Sequence, residues 1–353
     1  MRKKKRNIAP IAISFTALIC LLAMARLQSP AAVQTSAVET VPTATASPSP
    51  TPTATPYAPE APELRVRGED PLILTAAPEP YADPGCEAWD SLDGDLSDRV
   101  EVSVEVDPYR AGEGSVSYTV TDSEGLSASA VRRVIVEAAT VPVVEEPAQP
   151  VVYLTFDDGP SVNTPRLLDI LDQYGVQATW FVTLTHPEST ELIAEIANRG
   201  HTVAIHSASH DYQRIYASEE AFFTDLLEVQ DTIHQLTGTR PTMLRFPGGS
   251  SNTVSRFNPG IMTRLAQCLN DMGYVYFDWN VSSSDTVAKN TAAVRDKIIG
   301  GISGNSASVV LQHDTIGLSV EAVPAIIEWG LNNGYIFLPL DEHSPTAHHG
   351  IAN

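Results

Sequence analysis

Cysteine is nearly absent from this 353-residue chain: there are three, Cys20, Cys86 and Cys268, far apart. That excludes a disulfide framework and a cysteine-ligated zinc site. Positive charge is scarce too, 22 Lys and Arg against 43 Asp and Glu, for a net charge of −21. Five of those 22 sit in the opening "MRKKKRN", which holds no acid, so residues 8–353 carry 17 against 43, or −26. A surface that acidic repels phosphate backbones and argues against a nucleic-acid partner. Long apolar runs are missing except for one, "IAPIAISFTALICLLAMA" at 8–25, eighteen residues without a charge. Its length lies between a signal-peptide core and a short transmembrane helix, and its basic flank predicts a cytoplasmic N-terminus with everything after it outside. Residues 1–28 are therefore expected to be a basic tail and a single-pass membrane anchor. Cleavage after Ala25, at "AMA", would release the chain as a secreted protein. Ile19 before Cys20 is not the small residue that a lipoprotein site requires.

Composition divides the remainder. Residues 29–62 alternate Pro, Thr, Ala and Ser ("TVPTATASPSPTPTATPYAPEAP"), which cannot bury a core and extends as a polyproline-type spacer. From 63 to 138, short alternating segments ("LRVRG", "LILTA", "VEVSVEV", "SVSYTVTD", "ASAVRRVIVEA") are cut by Gly, Asp and Pro turns. They predict a small all-β sandwich. "DSLDGDLSD" within it offers acids for calcium, but its spacing is not that of an EF-hand loop and it reads first as a solvated turn. This stretch resembles bacterial Ig-like repeats of surface proteins, which implies a spacer or wall-binding module. Residues 139–150 form a second, Pro-containing linker. Between 151 and 345 strand-like runs ("VVYLTF", "QATWFVT", "HTVAIHS", "TMLRFP", "YVYFDWNV", "ASVVLQH", "GYIFLPL") alternate with six helix-like segments, several of which open on Ser, Thr or Asn and close on Gly. Seven strands in that order predict an α/β fold with a parallel sheet, open or closed into a barrel. Residues 346–353 are expected to be a tail.

In such folds chemistry gathers at the carboxyl ends of the strands. The first strand stops on "FDDGP". Asp, Gly and Pro are ordinary turn residues, so alone these two acids mean little. The other strand ends change that. The third gives His206 with His210 four residues on ("HSASH"), and the fourth gives Arg245 before "FPGG". The fifth runs through Asp278 and Trp279 toward Asp285, and the sixth ends on His313 and Asp314. Each has a plain structural alternative: a surface turn for the histidine pair, an ion pair for Arg245, core for Trp279. Together they form one polar rim. Two imidazoles and one carboxylate leave coordination positions open, as a catalytic metal requires.

The motifs "TFDDG", "HSASH", "RFPGG", "DWNVSSSD" and "LQH", in that order over roughly 151–340, resemble the polysaccharide deacetylases of carbohydrate esterase family 4, which share the NodB homology domain. The resemblance implies a distorted (β/α) barrel of about seven parallel strands and metal-dependent N-deacetylation. It casts Asp157 as general base, Asp158, His206 and His210 as metal ligands, Arg245 as the partner of Asp157, and Asp285 as the holder of a general acid, His313. Leu311 would line the pocket for the acetyl methyl, the N–H of Gly248 would serve the oxyanion, and Trp279 would meet the substrate. Phe156, Tyr212 and Tyr216 are further candidates to stack on sugar rings, with core the alternative. The implied cofactor is one divalent metal, zinc foremost, with cobalt, nickel and manganese also suited. Two positions depart from the family: Gly248 replaces an aromatic residue and Thr286 a tryptophan, which opens the groove wall.

These features predict a monomeric deacetylase at the extracellular face of the membrane or in the wall, acting on an N-acetylated glycan polymer, peptidoglycan before others. Two alternatives stay open here, an O-acetyl esterase of the xylan type on the same fold and a non-catalytic surface glycan-binding protein.

Overall fold

The computed structural model describes residues 58–353. The anchor segment 1–28, with Cys20 and Ala25, and the spacer through residue 57 lie outside the described residues. Among the described residues no helix is long and apolar enough to cross a membrane.

The first domain is two facing sheets. Antiparallel β1 (Glu63–Val66), β3 (Cys86–Asp90) and β4 (Gly94–Asp95) make one; β2 (Leu72–Thr75), β7 (Ser127–Glu137), β6 (Gly112–Thr121) and β5 (Glu101–Glu105), in that order, make the other. Alternation buries Cys86 from the first sheet in one cluster with Val116, Tyr118, Val134 and Val136 from the second, and Ala88 in another with Leu96 and Val120. Three of the four acids of "DSLDGDLSD" are occupied within the protein. Asp90 accepts from the N–H of Leu92 and of Asp93, Asp93 from Ser123, and Asp95 from Ser97. They act as turn caps.

The second domain is one sheet of parallel strands. In sheet order these are β12 (Val275–Tyr276), β11 (Met243–Leu244), β10 (Thr202–Ser207), β9 (Thr179–Thr183), β8 (Val151–Asp157), β14 (Ala307–His313) and β13 (Val281–Ser282); β15 (Ile336–Phe337) pairs the start of β8. Helices α1 (Thr164–Tyr174), α2 (Leu192–Asn198), α3 (Tyr212–Ile215), α4 (Glu219–Thr237), α5 (Ile261–Asp271), α6 (Thr291–Ile302) and α7 (Gly317–Asn332) lie between the strands. The sheet curls into a distorted (β/α) barrel. Strand period explains what fills it. Val151 and Tyr153 of β8, Phe181 of β9, Ala204 of β10 and Val309 of β14 form one apolar cluster with Val275, Phe277 and Leu340. The neighbours of opposite parity, Val152, Leu154, Phe156, Trp180, Val182, Ile205 and Val310, join the core that includes the helices.

One strand expectation is corrected. "YVYFDWNV" is not a single strand: Val275–Tyr276 pairs β11, whereas Val281–Ser282 pairs β14 at the other end of the sheet. Four residues, Phe277–Asn280, thus span the seam that hydrogen bonds leave open. Residues 346–353, read from sequence as a tail, cover that seam. Thr346 O accepts from Asp278 N (3.0 Å), His349 N donates to Asp278 Oδ2 (2.8 Å), and His348 stacks on Tyr276 at 3.8 Å.

The two domains touch. Tyr109 packs on Phe223 of α4 with ring centroids 4.7 Å apart, and Arg110 reaches Glu219 (3.2 Å) and Cys268 Sγ (3.2 Å). The linker lies on the second domain: Ala139 N donates to Asp271 O (2.7 Å), and Glu145 N to His343 O (2.8 Å).

Candidate active site

Asp157 ends β8 on the barrel-interior parity, above Thr155. Arg245 follows β11 and is wholly buried, its guanidinium 4.1 Å over the Phe181 ring. Its Nη1 donates to Thr155 Oγ1 (2.7 Å) and to Asp157 Oδ1 (2.6 Å); Nη2 donates to Asp278 O (2.9 Å) and Nε to Phe277 O (3.2 Å). A buried charge pair survives only when its remaining donors are satisfied, and these carbonyls satisfy them. Arg245 thereby fixes one oxygen of Asp157 and leaves Oδ2 toward the rim, 3.9 Å from His206 Nε2.

Strand alternation alone would turn Asp158 to the opposite face. At φ +68 it leaves the extended region instead, and its carboxylate returns to the rim. Asp158 Oδ1 lies 3.5 Å from His206 Nε2 and 3.4 Å from His210 Nε2. These three side chains offer ligand atoms within 4.8 Å of one another. His206 Nδ1 is 2.7 Å from Arg245 O, and because a carbonyl only accepts, Nδ1 carries the proton and Nε2 presents its lone pair. Burial holds the His206 pKa below its ordinary value, favouring that neutral form.

The three fit a divalent metal on two counts. Asp158 Oδ1 is buried and accepts no hydrogen bond among the described residues, a costly state without a cation. Ligands at roughly 2.0–2.1 Å in tetrahedral geometry stand about 3.4 Å apart, close to the spacings found.

The second half of the site comes from β13, β14 and the turn after β13. Asp285 Oδ1 is 2.9 Å from His313 Nδ1, and its Oδ2 accepts from the His313 backbone N–H (2.8 Å). His313 Nε2 points to the metal ligands, 3.9 Å from Asp158 Oδ2. Burial disfavours the imidazolium. The bond to Asp285 and the charges of Asp157, Asp285 and Asp158 outweigh it and push the His313 pKa up to about 9. Burial likewise works against Asp285 ionisation, but His313 and Ser319 hold its pKa below the ordinary value.

The remaining candidates fall differently. Leu311 shares the His313 face of β14 and is half-buried, as is Trp279, whose indole fits only because Gly249 has no side chain: a Cβ there would lie 2.9 Å from it. Gly248 is exposed and its N–H makes no hydrogen bond among the described residues. Phe156 and Tyr216 are corrected as sugar platforms, being wholly buried, Phe156 against Trp180 and Tyr216 with its hydroxyl on Pro247 O. Tyr212 stays half-exposed beside His210, ring centroids 5.2 Å apart.

Sequence reasoning missed several supports. Thr155 and the carbonyls of Phe277 and Asp278 hold Arg245. Asp278 itself takes Ser250 N (2.8 Å) and Ser250 Oγ (2.5 Å), fixing the loop after Arg245. Asp225 of α4 binds the segment between the two histidines. A polar residue inside an amphipathic helix gives no sign of such a role.

The profile of the polysaccharide deacetylase family matches residues 145–274, and that of the bacterial surface protein Ig-like domain matches 64–136. A peptidoglycan-N-acetylglucosamine deacetylase of Bacillus cereus is 31% identical over 201 residues, 55% of this chain and 70% of that protein. A peptidoglycan-N-acetylmuramic acid deacetylase of Bacillus subtilis is 29% identical over 192 residues, 54% of this chain and 38% of that one. Among solved structures, the catalytic domain of a peptidoglycan N-acetylglucosamine deacetylase from Eubacterium rectale superposes with a TM-score of 0.59 at 53% identity, covering 61% of this chain and 99% of that chain.

Proposed function

Because the chain belongs to the polysaccharide deacetylase family, and is thus a hydrolase, we propose that its substrate is peptidoglycan and that it removes the acetyl group from N-acetylglucosamine. The observation that carries this reading is that an Arg245-held Asp157 and an Asp285-held His313 both lie against the Asp158–His206–His210 cluster, each 3.9 Å from one of its members.

Asp158, His206 and His210 would hold a divalent metal, zinc in our reading, which when bound would polarise the amide carbonyl and lower the pKa of water. The chain's own residues then divide the proton work. Asp157, ionised beside Arg245, takes the proton of the attacking water as oxygen bonds to the acetyl carbon. The Gly248 N–H is free to donate to the oxygen on which charge develops. The C–N bond breaks as His313 gives its Nε2 proton to the leaving amine, and Asp285 holds the ring in place throughout. The acetyl group leaves as acetate and the sugar keeps a free amine. Two adjacent aspartates therefore serve opposite ends of the chemistry: Asp158 as ligand, Asp157 as base.

In the same reading the anchor and the Pro/Thr-rich spacer set this activity outside the cell, near its own wall. The test incubates the purified protein with acetylated peptidoglycan and with N-acetylglucosamine oligomers, with and without chelator, and measures acetate and free amines. Equal amounts of both from peptidoglycan, abolished by chelator, are expected. Acetate without amines would mean an ester substrate instead. Asp157→Asn should keep its metal while turnover falls by about 10²–10⁴; unchanged turnover would remove Asp157 as the base.

A further inference from the structure

Asp225 is a carboxylate without an assigned task. It lies on α4, is 3% exposed, and among the described residues has no cationic partner. Its charge is met by four donors. Ser207 Oγ (2.6 Å) and Ala208 N (2.8 Å) bind Oδ2; Ser209 N (3.0 Å) and Ser209 Oγ (2.6 Å) bind Oδ1. All four belong to residues 207–209, the segment that separates His206 from His210.

The network continues to the second histidine. Ser207 Oγ, while donating to Asp225, accepts from His210 N (2.8 Å). His210 has φ +50, a left-handed conformation that a residue with a Cβ adopts at a cost, so its surroundings must hold it there. The two imidazoles differ in how they are fixed. The His206 ring is locked by its own bond to Arg245 O, whereas no hydrogen bond from the His210 ring to an orienting group is found among the described residues. The direction of His210 Nε2 is therefore set by the backbone of residues 207–210 together with the Tyr212 and His206 rings beside it, and that backbone is held by Asp225.

We propose that Asp225 is a positioning residue that presets His210, and with it the spacing of the metal ligands, before an ion arrives. It acts through the loop and touches neither substrate nor any ligand atom. The proposal rests on the metal reading of Asp158, His206 and His210.

Asn at 225 would present an NH₂ to one of the two donor pairs, opposing two hydrogen bonds with little change in volume. The experiment strips the protein of metal with chelator and titrates zinc against a competing chromophoric chelator. Asp225→Asn is expected to weaken zinc binding roughly 10–100-fold, the usual effect of removing an outer-sphere partner. Excess zinc should return most of the lost turnover, which a collapsed site would not allow. Asp271→Asn is the control, a buried carboxylate on α5 bonded to Ala111 N and Gln267; its zinc affinity should match the parent. An Asp225→Asn affinity within twofold of the parent overturns the proposal. Should that variant not fold, Ser209→Ala removes one hydrogen bond to the same carboxylate, together with the longer one that Ser209 Oγ accepts from Asp211 N (3.3 Å), and parent-like affinity there overturns it equally. A parent that binds no zinc defeats the metal reading and this proposal together. A parent that binds zinc yet releases no acetate defeats only the functional reading, and the comparison of affinities still decides the role of Asp225.

Discussion

His313 concentrates the electrostatics of the site in one ring. Its pKa of about 9 lies above the unperturbed histidine value because Asp285 holds the proton on Nδ1 and two further carboxylates face Nε2. A group with a raised pKa is protonated below it, so the His313 imidazolium, the general acid of the proposed reaction, is present through neutral pH and is lost as pH climbs through that value. The turnover profile should therefore have an alkaline limb. Asp285→Asn removes the charge and weakens the bond, so its limb should move to lower pH. A limb that stays in place would show that another group sets it. Gly159 illustrates how tightly the same rim is packed: a Cβ there would lie 2.4 Å from Asp314 Oδ2, so the "DDG" turn requires glycine for space.

Helix α7 decides between two opposing effects at Gly330. Alanine there would favour the helix by about 1 kcal/mol on propensity alone. Yet its Cβ would meet the Phe337 ring of β15 at 2.5 Å in the buried core. Overpacking of that kind costs about 1–3 kcal/mol, so Gly330→Ala should lose stability in urea denaturation, and a gain would mean that β15 moves aside freely. Elements of this kind differ in how much of them the sequence disclosed. Strands β8, β9, β10 and β14 were readable because each is a β-rich run bounded by turn residues, and α4 because Ser218 caps it and Gly238 ends it at φ +77. The gathering of Asp157, Asp158, His206 and His313 on one rim was readable because these residues end or directly follow those strands, with His210 a short step beyond. The split of "YVYFDWNV" was not, since nothing local tells a strand that its halves will find partners at opposite edges. Nor were residues 348–349, whose role depends on a groove formed by chain about 70 residues earlier. Asp225 stayed hidden for the same reason: its donors come from another element.

At the scale of the whole molecule, the Ig-like domain is docked on α4 and α5, the first of which carries Asp225. Domains joined by small polar contacts move independently by default. Here Tyr109 on Phe223, Arg110 on Glu219 and Cys268, and the bonded linker join them. Calorimetry should show one unfolding transition for both domains, and Tyr109→Ala, at a loss of about 2 kcal/mol, should split it in two. Two transitions in the parent would mean that the contact does not couple them. The sheet has a further consequence, which concerns time. Its central strand, β8, is the first of this domain to be synthesised, yet Val151 pairs with Ala307 on one side and Ile336 on the other, more than 150 residues later. Closing so long a loop is entropically slow, and until it closes β8 offers an unpaired apolar edge. Strands β8 to β12 are neighbours in the order of synthesis and can pair as they emerge, but the other side of β8 has no partner until β14 is made. That one edge must wait, prone to aggregate, until almost the last strand is made.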